Sequence, residues 1–197
     1  MKVTKFESGT NLGDPGAAAW SKVPAERVAL GPAPVEAQPN AYIRTKWASG
    51  GYGTTAEAAL AVASDGQRLY VRIEWDDDAA PNVEFPDAAA VVLGNGGQAN
   101  PGTFGANANP VTVWYWEDGR GEALNLVAEG PGVFRKQANG DIRAAANLAN
   151  GRWQTVLSGP ASAAASGQLG VAVWNGSNEE RAGLGAVSQA WIALELA

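Results

Sequence analysis

Leu69, Val71, Ile73 and Trp75 alternate with Tyr70, Arg72 and Glu74. An apolar side chain at every second position is the period of a β-strand with one face buried and the other wet. Asp65-Gly66, just ahead of this run, is a hairpin turn leading back to an apolar segment at 60–63. Trp153, Thr155 and Leu157 repeat the period, and Asn150-Gly151 turns the chain back onto residues 141–148; Asn139-Gly140 is a further turn. Two other runs, Phe85-Pro86-Asp87-Ala88-Ala89-Ala90-Val91-Val92-Leu93 and Asn109-Pro110-Val111-Thr112-Val113-Trp114-Tyr115-Trp116, have the length of buried strands and are bridged by a Gly/Asn-rich loop. A strand pair joined by a long polar loop commonly builds the mouth of a pocket.

Segments 169–174 and 191–196, with two strands placed within 41–63 around Gly50-Gly51-Tyr52-Gly53, bring the expected count to about nine. Only 161–165 reads as a helical turn. Regular short strands with turns between them predict an all-β fold, an antiparallel β-sandwich formed as a single domain over 1–197. Residues 1–40 carry Trp20, Val23, Val28 and Leu30, then Pro32, Pro34 and Pro39. They are expected to form a packed N-terminal arm, because these prolines suit an extended segment laid on a sheet or an edge strand.

Composition narrows the chemistry. A formal charge of −6 argues against nucleic-acid backbones and anionic membrane surfaces, both of which call for a basic patch. No run of 18 apolar residues is present, so no membrane span is expected. There is no Cys, which excludes disulfides, thiolate metal sites, iron–sulfur clusters held by this chain and Cys nucleophiles. There is no His, which excludes Ser-His-Asp triads and His-ligated metals, and the single methionine is Met1. The first residues, Met1-Lys2-Val3-Thr4-Lys5-Phe6, have no apolar signal-peptide core and no twin arginine. As numbered, the chain is expected to be cytoplasmic, or periplasmic if it is exported with a partner or a leader has been removed.

Four local patterns occur in order: Leu69-Tyr70-Val71-Arg72-Ile73-Glu74-Trp75-Asp76-Asp77, Phe85-Pro86-Asp87-Ala88-Ala89-Ala90-Val91, Asn109-Pro110-Val111-Thr112-Val113-Trp114-Tyr115-Trp116, and Ala172-Val173-Trp174-Asn175-Gly176-Ser177-Asn178-Glu179-Glu180-Arg181. Together, over roughly residues 15–197, they resemble the haem b-binding gamma subunits of the ethylbenzene dehydrogenase and dimethylsulfide dehydrogenase type. The resemblance implies a DOMON-like β-sandwich that accompanies an iron–sulfur subunit and a molybdopterin catalytic subunit, and takes no part in catalysis itself.

It also implies a haem b held between a Met and a Lys, and here this chain departs from the pattern. Phe104 stands where the Met is expected, in Gly102-Thr103-Phe104-Gly105, and Gly185 stands where the Lys is expected. Trp114, Trp116 and Trp174 would be walls of that pocket. A low-spin haem iron needs two strong axial donors. Phe104 offers none, Gly185 has no side chain, and the lysines (Lys2, Lys5, Lys22, Lys46 and Lys136) lie in neither segment. The expectation is therefore a haem-free subunit, with Phe104 plugging the pocket. A stand-alone DOMON-like or carbohydrate-binding module is the alternative, with Trp114 and Trp116 as a sugar platform. A third reading keeps haem on ligands foreign to the family.

Glu74, Asp76, Asp77, Asp78 and Asp87 form an acidic group after the clearest strand. Asp76, Asp77 and Asp78 are a weak Ca²⁺ candidate, set against the reading that these carboxylates cap turns in a solvated loop. Asn175-Gly176-Ser177-Asn178 is expected to make a tight turn.

Overall fold

The computed structural model describes residues 1–77 and 84–195. The first strands are β1 (Thr4–Lys5), β2 (Glu26–Pro32), β3 (Glu57–Ser64), β4 (Arg68–Asp76), β5 (Ala88–Leu93) and β6 (Val111–Glu117). They are followed by β7 (Leu124–Ala128), β8 (Phe134–Lys136), β9 (Arg143–Ala149), β10 (Arg152–Pro160), β11 (Gln168–Trp174), β12 (Ala186–Ser188) and β13 (Ile192–Ala193). A single short helix, α1 (Ala41–Lys46), precedes β3.

The strands form two layers. One runs β2-β3-β4-β10-β9, and the other runs β8-β7-β6-β5-β11-β12. All these neighbours are antiparallel, whereas β1 adds to β3 in parallel. The layers are continuous at β2: residues 26–29 pair with β3, then Leu30, Gly31 and Pro32 pair with Ser188, Val187 and Ala186 of β12. The expected sandwich is present.

Strand parity decides what each face does. From β4 and β10, Leu69, Val71, Ile73, Trp75, Trp153 and Leu157 point between the layers. Ala89, Val91 and Leu93 of β5, Trp114 and Trp116 of β6, and Leu169, Val171 and Val173 of β11 meet them there. Gly159 of β10 is part of this fit, since a Cβ there would stand 2.6 Å from the Trp114 ring. The alternate residues of the second layer, Ala88, Ala90, Val92, Val113, Ala172 and Trp174, form a separate apolar cluster on its outer face, closed over by Phe104, Ala99 and Ala33. All six residues of β5 are consequently buried.

The sequence-based expectation differs from the structure at several places. The first of the two strands placed in 41–63 is the helix α1, started by the Asn40 side chain accepting the Tyr42 N–H at 2.9 Å and closed by Arg44 and Lys46 in its last turn. The extended N-terminal segment is β2, paired on both sides with β3 and β12 and so not at an edge; β7, β8 and β12 were not anticipated, and β13 is shorter than 191–196. The outer face of β4 is not simply wet. Tyr70 is buried there among Leu12, Trp20 and Val23 of the first forty residues, and Arg72 lies 5.9 Å from the Trp20 ring. The β9–β10 hairpin does turn at Asn150-Gly151, with φ of 53° and 70°, the left-handed pair that a two-residue turn requires.

Candidate functional site

Phe104 is placed by a tightly wound loop. Residues Pro101–Thr103 make a 3₁₀ turn, with the Asn100 side chain accepting the Gly102 N–H at 2.8 Å and the Asn100 carbonyl accepting the Gly105 N–H at 2.9 Å. Phe104 caps that turn in the left-handed region (φ 52°, ψ 44°), a conformation that costs a non-glycine residue about 1 kcal/mol or more. The loop thereby drives the ring down onto the sheet, where it is fully buried.

There it meets Trp174, the last residue of β11. The two rings are nearly parallel, with centroids 5.8 Å apart and 17° between planes. Phe134 packs edge-on to Phe104 at 5.2 Å, and Tyr115 packs edge-on to Trp174 at 5.5 Å. The Trp174 indole is anchored by its Nε1–H, which donates to the Ala182 carbonyl at 3.0 Å. Tyr115 donates its hydroxyl to Glu117 at 2.8 Å; burial, reinforced by that carboxylate, pushes the hydroxyl well above its usual range.

Gly185 also lies against this indole. A Cβ at position 185 would stand 2.6 Å from Trp174 Nε1 and 2.8 Å from Cδ1. The Gly185 carbonyl accepts the Ala33 N–H at 3.0 Å, so its backbone is also fixed. One side chain, Trp174, thus touches both position 104 and position 185.

Trp114 and Trp116 are elsewhere. Both face the core between the layers, where Trp116 packs at 6.4 Å from Trp75 and 5.0 Å from Trp153. They do not share a wall with Trp174, because they lie on the opposite face of the same sheet. Both are buried, at 1% and 7% exposure, so neither forms a sugar-stacking surface. Met1 also packs against the interlayer core, and its amino group donates to the Ala193 carbonyl at 2.6 Å.

The acidic residues separate into distinct roles. Arg152 binds Asp76 at 2.5 Å and Glu74 at 3.0 Å, and Arg72 binds Glu74 at 2.7 Å, a ladder of ion pairs on the outer face of the first layer. Asp77 turns to Asp87, and Asp78 lies outside the described residues. Among the described residues, no three acidic side chains are grouped as a metal would require.

Two of the carboxylates, Asp87 of the acidic group and Glu180, which the sequence reading did not single out, are buried. Asp87 accepts the Gly176 N–H at 2.8 Å and the Trp153 Nε1–H at 3.2 Å. Burial, and then the neighbouring Asp77, raise its pKa, with the two N–H donors opposing. Glu180, 1% exposed, accepts from Thr54 N–H at 3.1 Å, Thr54 hydroxyl at 3.2 Å, Asn178 Nδ2 at 3.0 Å and Asn175 N–H at 2.9 Å. Together they tie the turn at 175–178 to the rest of the fold. Both stand inside the quoted patterns, which was the available signal.

The chain is 36% identical over 201 residues to the chlorate reductase subunit gamma of Ideonella dechloratans, covering 93% of this chain and 80% of that protein. It is 36% identical over 193 residues to a protein of Haloferax mediterranei described as a respiratory nitrate reductase heme subunit, covering 89% of this chain and 65% of the other. With the dimethylsulfide dehydrogenase subunit gamma of Rhodovulum sulfidophilum it shares 25% over 215 residues, 98% of this chain and 79% of that one. No family profile matches the chain. Among solved structures, one described as a carbohydrate-binding protein of Bacteroides uniformis superposes with a TM-score of 0.52 at 10% identity, covering 100% of this chain and 92% of that one; this likeness shows the β-sandwich fold. Among the described residues no helix is long and apolar enough to cross a membrane. By its relatives the chain belongs to the family of molybdoenzyme gamma subunits.

Proposed function

We propose that this chain is a non-catalytic gamma-type accessory subunit of a molybdopterin/iron–sulfur oxidoreductase, that it holds no six-coordinate haem b, and that its role in the complex is structural or one of docking. The accessory role is supported by relatives that are gamma and heme subunits of oxidoreductases.

One observation carries the haem-free reading: the Trp174 indole is packed against both Phe104 and the backbone of Gly185. A porphyrin bound between those two positions would need room there and two donor atoms facing it. Phe104 carries no lone pair, and position 185 has no room even for a Cβ. The residues present do not fit the group. Packing here is instead that of a filled core, which avoids a void costing about 24 cal/mol per Å³.

Purification through a tag on this chain from the cells that naturally make it tests both parts. The expected result is co-purification with a cysteine-rich chain and a molybdopterin-containing chain, and an absorption spectrum of the isolated subunit without a Soret band even after incubation with excess haemin. A Soret band with split α and β bands at one haem per chain overturns the haem-free reading. A chain that purifies alone overturns the accessory role.

A further inference from the structure

The loop 181–185 that closes over Trp174 also forms, on its outer side, one wall of a surface groove. Pro39 and Ile43, ahead of and within α1, face Ala182 and Leu184 across a cavity of about 170 Å³. Beside it stands Tyr42, 69% exposed and the one large hydrophobic side chain that the described residues leave mostly in water. Exposed aromatic side chains next to an apolar depression are typical of the centres of protein interfaces, where Tyr and Arg carry much of the binding energy.

The charges around this groove are unlike those elsewhere. Of the nine arginines, Arg27, Arg68, Arg72, Arg120, Arg135, Arg143 and Arg152 each bind a carboxylate of this chain. Arg44 and Arg181 do not, among the described residues. Arg44 donates to the carbonyls of Gln38 at 2.5 Å and Pro39 at 3.0 Å, and Arg181 donates to the Glu179 carbonyl at 3.1 Å while lying 4.4 Å from the Phe85 ring. Both guanidinium groups are therefore held in place by neutral partners, with no carboxylate of the described residues at ion-pair distance. Lys2, Lys5 and Lys22 also lack an ion-pair partner among the described residues, but Arg44 and Arg181 are the two arginines that do, and both flank this one apolar groove.

We infer that this groove docks an acidic segment of a partner subunit: an apolar side chain enters between Ile43 and Leu184, flanking Asp or Glu carboxylates bind Arg44 and Arg181, and Tyr42 covers the junction. Guanidinium suits such a contact because it binds a carboxylate through two parallel N–H donors. This deepens the accessory-subunit reading and rests on it.

The test uses the intact complex. A photo-crosslinking amino acid at position 42 is expected to join this chain to one partner subunit within a segment that contains Asp or Glu beside an apolar residue, identified by mass spectrometry. Arg44→Glu with Arg181→Glu is expected to lower co-purification at least tenfold while the circular dichroism of the isolated subunit stays that of the folded parent, with a lower Tm from the lost Arg44 bonds to the Gln38 and Pro39 carbonyls. A cross-link to a segment without acidic residues, a cross-link to a second copy of this chain, or undiminished recovery of the doubly reversed variant overturns the inference. If the parent chain recovers no partner at all, it is the accessory-subunit reading that has failed; if the parent does and the variants do equally well, only the groove assignment has.

Discussion

Gly185 and Trp174 are fitted to each other: the missing Cβ of one is the space taken by the pyrrole edge of the other, 2.6 Å from Nε1. Gly185 does not have the left-handed φ that would by itself explain a glycine, so the contact alone decides the cost of a side chain there. Gly185→Ala is therefore expected to destabilise the fold by about 1–3 kcal/mol, the range for overpacking a close-fitted core. In a Trp174→Ala background the same substitution should cost little. Urea unfolding of the four proteins in the cycle measures the coupling; additive effects would show that the two residues do not compete for space.

Trp174→Ala removes the side chain that touches both position 104 and position 185 and leaves the Ala182 carbonyl without its indole donor. The expected loss is about 3–5 kcal/mol, as for other buried aromatic truncations. Phe104→Met with Gly185→Lys, which restores donor types but keeps Trp174, should fold poorly and bind no haemin. Adding Trp174→Ala to that pair should recover some stability, read by the same unfolding curves. Haemin taken up by the pair with Trp174 intact would show that the indole moves aside.

How much of this was legible in the sequence follows from the range of each signal. The alternation in Leu69–Trp75 and the Asn150-Gly151 turn are local, and the structure has both as strand and hairpin. The spacing of Trp114 and Trp116 put them on one face, but parity within a strand does not say which face Trp174 of another strand shares. That depends on the pairing of β5 with both β6 and β11, which sends Trp174 outward and the other two inward. α1 is too short for a helical period to show, and its Asn40 cap resembles any loop asparagine. β12 is three residues long and exists because β2 lies beside it. Asp87 and Glu180 were visible as charges but not as buried charges, since burial is conferred by segments far away in the chain. Phe104 and Gly185 were placed by resemblance; the residue that contacts both comes from a third segment.

Glu180 is expected to be the costliest single carboxylate to remove. It gathers donors from Thr54, Asn175 and Asn178 at 2.9–3.2 Å while almost wholly buried. A buried donor left without a partner costs about 1–3 kcal/mol, and water can reach Thr54, which is exposed. Glu180→Ala should lose about that much once. Glu180→Gln should lose nearly as much, because its amide NH₂ would face N–H groups that already donate. Thermal unfolding of both variants checks this; a fully stable Gln variant would show that one oxygen suffices.

The Asp87 carboxyl makes stability depend on pH with a sign opposite to that of an ordinary ion-paired acid. Its folded pKa is raised above the usual carboxylate value, by burial first and by Asp77 next. Between the unfolded and the folded pKa the folded protein therefore binds more protons than the unfolded chain, so its stability falls as pH rises through that window. Asp77→Asn removes the second cause and leaves the first, so the fall in Tm on raising pH from about 4 to 7 should shrink without vanishing. Asp87→Ala should abolish this component of the slope and cost stability at every pH, since Gly176 N–H and Trp153 Nε1–H both lose their acceptor. Tm measured across that pH range for the parent and the two variants decides the matter: an unchanged slope in the Asp87→Ala protein would assign the pH dependence to other groups.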